Sequence, residues 1–124
     1  MCHSFREVGY FTMTTITERA IATFALNDEE WALLASYMPT KAHNTGSDTD
    51  WRAVVNALMI KWYFPLCAWR KIPNASRVRM AWHRSVDYGT WSAIERALPS
   101  LNLSRAGMLK RICFAAGRAK GARR

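Results

Sequence analysis

Cysteine is scarce: Cys2, Cys67 and Cys113 stand far apart, with no Cys-x-x-Cys pair. An odd, scattered set of thiols builds neither a disulfide framework nor a zinc site. Long apolar runs are missing too. The longest, Ala53 to Ile60, contains Asn56 and stops at Lys61, well short of the ~20 residues that cross a bilayer. No transmembrane helix fits. The opening Met1-Cys2-His3-Ser4-Phe5-Arg6-Glu7 lacks the basic-then-apolar layout of a secretory signal. A cytoplasmic chain with reduced thiols is therefore expected, with Met13 as an alternative start. No stretch alternates apolar and polar residues long enough to read as a strand. The most telling scarcity is of acids: residues 51–124 carry fifteen Lys and Arg but only Asp87 and Glu95.

What is present points to one folded unit. The chain has 124 residues, half of them hydrophobic and 12% aromatic, enough for a single buried core. Residues 1–50 hold three bases and seven acids, so the formal charge of +9 comes wholly from the second half. A segment so biased repels itself unless a polyanion gathers around it. Nucleic acid is the partner this favours. An anionic membrane surface competes less well, because no stretch pairs a clean apolar face with a Lys-rich one.

The periodicity is helical throughout, and the fold class it predicts is all-α, a small bundle of four to five helices. Residues 1–25 show no clear period and read as a loosely ordered arm. Asn27 and Glu30 have N-cap and N3 spacing, Asp28 to Glu30 favour the positive end of a helix dipole, and Trp31, Leu34, Ala35 and Met38 follow at helical spacing until Pro39. A polar loop through Gly46 precedes a second helix over about 50–63, with Asp48 or Thr49 as alternative caps and a stripe of Val54, Val55, Leu58, Met59 and Trp62. Pro65 ends it. After a connector, Ser76 is placed to cap a third helix whose apolar face is Val78, Ala81, Trp82, Ser85 and Val86, closed by Gly89. Thr90 is placed to cap a fourth, with Trp91, Ile94, Ala97 and Leu98 inward and Pro99 as its stop. The segment 99–124 reads as basic and partly helical or disordered, with Ser104 as a cap and Met108, Leu109, Ile112 and Cys113 as its apolar residues.

Catalysis finds little support. Two-metal strand transfer needs converging carboxylates, and most acids here are explained by helix starts. Cys67 and His83 form no recognisable nucleophile–base motif, and His3, His43 and His83 lack metal-ligand spacing. No catalytic residue, metal or cofactor is expected. Binding fares better. A helix, a connector and a short basic helix is the order of helix-turn-helix proteins, in which the later helix enters the major groove of double-stranded DNA. The third helix offers Arg77, Arg79, His83 and Arg84 away from its apolar face. Arginine matches guanine O6 and N7 and also pairs with phosphate. Lys61, Arg70 and Lys71 flank the connector, suited to phosphate contacts. Trp62 and Trp69 beside them read as core residues rather than base-stacking platforms. A solvated charged face is the competing reading of these bases.

Together, Leu26-Asn27-Asp28-Glu29-Glu30-Trp31-Ala32-Leu33-Leu34 with Pro39, Arg52 to Leu58, Cys67-Ala68-Trp69-Arg70-Lys71-Ile72-Pro73, and Gly89-Thr90-Trp91 leading to Leu98 resemble a known domain. It is the N-terminal insertion-element domain of bacterial DDE-class insertion-sequence transposases. The resemblance covers about residues 26–98. It implies a helical domain that recognises element DNA and, in the family, precedes a ribonuclease-H-like catalytic core, so the chain is expected to be a truncated or free-standing form of that first domain. An intact transposase is then a further expected partner. The alternatives are a protein-interaction or oligomerisation domain, favoured by the acidic first half beside a basic second half, and a decayed reading frame without function.

Overall fold

A computed structural model describes residues 18–39, 49–64 and 67–122. Among them there are six α-helices and no strand, so the all-α expectation holds, with one helix more than the periodicity suggested. The extra one is α1, Glu18–Phe24, inside the segment expected to be a loose arm. It packs on the helix that follows the polar loop, with Ile21 against the core. Seven residues are too few to show a period, and only this packing holds so short a helix. Residues 1–17 lie outside the described residues.

Helix α2, Asp28–Leu34, begins with the expected capping box: the Glu30 amide donates to Asn27 Oδ1 at 2.8 Å and the Asn27 amide to Glu30 Oε1 at 3.0 Å. A 3-10 turn, Ala35–Tyr37, continues it, and Met38 is buried just before Pro39.

Helix α3, Trp51–Tyr63, is capped not by Asp48 or Thr49 but by Asp50, whose carboxylate accepts from the Ala53 amide. It is the central element. Val55, Leu58, Met59 and Ile60 are almost wholly buried, and α1, α4 and α6 all pack on it. That explains why its apolar residues spread beyond one stripe: a helix covered on several sides needs no polar face.

Helix α4, Ala75–Tyr88, buries Val78, Ala81, Trp82, Ser85 and Val86, the face read from the sequence. Its start differs from expectation. Asn74, in the left-handed region at φ 57°, precedes the first turn without a side-chain cap, and Ser76 lies inside the helix. Gly89, at φ 90°, ends α4 and starts α5, Thr90–Leu101. Thr90 is therefore the first helical residue rather than the cap, and its buried hydroxyl finds no partner. Pro99 does not stop α5, which runs on to Leu101 before Asn102 turns left-handed at φ 53°. A proline this near a helix end removes one N–H from the ladder while its neighbours continue.

Helix α6, Ala106–Ala122, takes up most of the segment expected to be partly helical or disordered. Leu109 and Ile112 are fully buried, with Cys113 and Ala116 nearly so, and the helix packs on α3, α4 and α5. The boundary read at residue 98 therefore crosses one continuous core. Ser104 does not cap α6: its hydroxyl donates instead to Glu30 Oε2 at 2.7 Å. Glu30 also receives Arg105 Nη1 at 3.2 Å, which ties α2 to the turn that launches α6. No helix of the described residues is long and apolar enough to cross a membrane.

Candidate nucleic-acid interface

The local sequence decides how α4 presents its bases. With one face committed to the core, Arg77, Arg79, His83 and Arg84 all emerge exposed, and Met80 stands between them at 67% exposure. At 3.6 residues per turn these four fall on the two edges of one exposed arc. Arg77 and Arg84, two turns apart, share one edge. Arg79 and His83, one turn apart, share the other.

The first edge borders a groove of about 850 Å³ between α4, α1 and α3, with Arg77, Arg84 and Met80 on its α4 side. Arg84 is held there from two directions. Its Nη2 donates to Thr49 Oγ1 at 3.0 Å, and its guanidinium centre lies 5.5 Å from the Trp51 ring. Both anchors come from the start of α3, which no periodicity in α4 can reveal. Stacking against an aromatic face costs a guanidinium little of its donor capacity, because the N–H groups point outward in its own plane.

The second edge meets the connector. Arg79 lies 6.0 Å from the Trp69 ring. Lys61 Nζ sits 4.1 Å over Trp62 and 5.1 Å from Trp69, and the two indoles pack edge to face at 6.0 Å. Both tryptophans pack against the core, as their positions suggested. Burial lowers the Lys61 pKa and the nearby Arg79 charge lowers it further, while Cys67 acts the other way. Burial raises the Cys67 thiol's pKa, opposed by Lys61 and Lys71. Lys61 and Arg79 share the Trp69 ring, and Lys71 closes the same 3-10 turn as Trp69. Arg70 is exposed and Lys71 half-buried in the 3-10 turn Trp69–Lys71. The structure thus brings Lys61, Lys71 and Arg79 together around Trp69 and Cys67, and Arg77 with Arg84 on the far edge of α4.

Other bases are used inside the fold. Arg52 donates to the Leu26 carbonyl at 2.9 Å and pairs with Asp28 at 2.8 Å. Arg105 joins Glu30 and the Phe24 carbonyl. Neither role is visible in the sequence, since the partners lie 24 to 81 residues away. The α6 bases Lys110, Arg111 and Arg118 are exposed, and the sequence reading passed over them. The signal that marks them is plain: residues 96–124 contain no acid at all. Among the described residues, no group of three or more His, Cys, Asp or Glu side chains converges. No protein-family model, curated protein or solved structure matches this chain.

Proposed function

We propose that this chain is a DNA-binding helical module without catalytic activity, whose α4 meets double-stranded DNA, in the manner implied by its resemblance to the N-terminal domain of insertion-sequence transposases. The observation that carries this reading is the exposure of Arg77, Arg79, His83 and Arg84 on a helix whose opposite face is fixed in the core. Such a helix offers cations on a rigid scaffold, so little backbone freedom is lost on binding. The neighbouring Lys61, Arg70 and Lys71 add positive charge where a phosphate backbone would flank an inserted helix.

Phosphate contacts release counterions, so affinity falls steeply with salt. With about five phosphates neutralised, log K against log salt slopes by about −4.5 on a duplex. The test is fluorescence anisotropy of the full chain on a labelled duplex across a salt series. Replacing Arg77, Arg79 and Arg84 together by Ala should reduce the slope by about 2.7 and leave the fold intact, since all three are off the core. Unaltered binding by the triple variant rejects α4 as the reader. Self-association without any DNA binding would point to the oligomerisation reading instead.

A further inference from the structure

The outer face of α6 is not used by the α4 reading, and it has a character of its own. Arg111, Phe114 and Arg118 lie along one strip of that face by helical spacing, all exposed, with Phe114 at 67%. The apolar residues of α6 are already committed to the core, so Phe114 is not part of its packing face. Each arginine is steadied by a ring. Arg118 lies 5.8 Å from Phe114, and Arg111 lies 5.0 Å from Tyr63 while donating Nη1 to the Tyr63 carbonyl at 3.3 Å. Tyr63 and the adjacent Phe64, edge to face at 5.0 Å, are exposed in turn and backed by Phe24. The result is a strip on which exposed rings and guanidinium groups alternate. Gly107 and Gly117 share the face and put no side chain in the way. Helix α6 contains no acid.

We infer that this strip, Tyr63, Phe64, Arg111, Phe114 and Arg118, is a second binding surface, for single-stranded nucleic acid. Arginines answer the phosphates, and exposed rings offer stacking platforms to unpaired bases whatever their identity. A duplex leaves the rings without a role, because its bases already stack on one another. An anionic bilayer fits less well: a surface-lying helix needs a broad free apolar face, and the one on α6 is buried. The inference does not depend on the α4 reading.

The experiment compares the full chain on a labelled oligothymidylate, on a duplex of equal length, and on phosphatidylserine-containing vesicles. Phe114→Ala is expected to weaken oligothymidylate binding about tenfold while the duplex affinity and the melting temperature stay unchanged. Phe114→Trp should keep or improve it. The double variant Arg111→Gln, Arg118→Gln should reduce the salt slope on oligothymidylate by about 1.4. The inference is overturned if the wild type does not bind oligothymidylate, if Phe114→Ala binds it as the wild type does, or if vesicles outcompete it. The Arg77, Arg79 and Arg84 variant acts on the duplex arm, so the two surfaces succeed or fail separately.

Discussion

Glu30 joins the start of α2 to the turn before α6. Burial pushes its carboxyl up, but the Asn27 amide, the Ser104 hydroxyl and Arg105 together outweigh that and hold its pKa below the ordinary 4.5. Because the folded value is the lower one, the unfolded chain takes up the proton first as pH drops. This stabilisation is complete above the unfolded value and disappears as pH falls through the folded one. Glu30→Gln should cost about 1–2 kcal/mol at neutral pH. Its urea midpoint should then fall less than the wild type's between about pH 7 and about pH 3. Two buried hydroxyls on either side of Gly89 make a contrasting pair. Ser85 Oγ donates to the Trp82 carbonyl at 2.7 Å and accepts from Trp91 Nε1 at 2.8 Å, so Ser85→Ala orphans a buried indole N–H and should cost about 2 kcal/mol. The Thr90 hydroxyl has no partner, so Thr90→Val should stabilise by about 1 kcal/mol. Chemical denaturation of the two variants side by side checks both signs.

At the scale of elements, the junctions show what helical periodicity leaves out. Gly89 serves two helices at once: at φ 90° its amide donates to the Ser85 and Val86 carbonyls, and α5 starts directly after it. A Cβ there would meet nothing within 4 Å, so the cost of Gly89→Ala is conformational alone, about 1–2 kcal/mol. Gly117 sits mid-helix in α6, also in open space, and there Ala is the better residue. Gly117→Ala should stabilise by about 0.5–1 kcal/mol. Thermal melts of the two variants should therefore shift in opposite directions. The α2 start was fully legible in Asn27 and Glu30, because a capping box is a contact between near neighbours. The caps expected at Ser76, Thr90 and Ser104 did not form. Left-handed Asn74 and Gly89 take the first two positions, and Glu30 claims the Ser104 hydroxyl.

For the whole molecule, the decisive fact is that α6 completes the core. Leu109 and Ile112 are sealed against α3, α4 and α5, so a chain ending at Asn102 would expose the apolar surface they cover. Such a truncation should lose its cooperative melting transition, as followed by circular dichroism. The same packing turns a basic tail into a basic helix, which is why cationic surface extends to a side of the protein away from α4. Local information, meaning helical spacing, the capping box and the lopsided charge, was enough to determine an all-α chain, the inward face of α4 and the outward placement of Arg77, Arg79, His83 and Arg84. Tertiary structure alone decided that Glu18–Phe24 is helical, that Arg52 and Arg105 serve the fold, that Thr49 and Trp51 hold Arg84, and that Phe114 is left outside. The division has a physical cause. A helix face follows from interactions a few residues apart, whereas the fate of a charge or a ring is set by partners dozens of residues away that only the packed chain brings within reach.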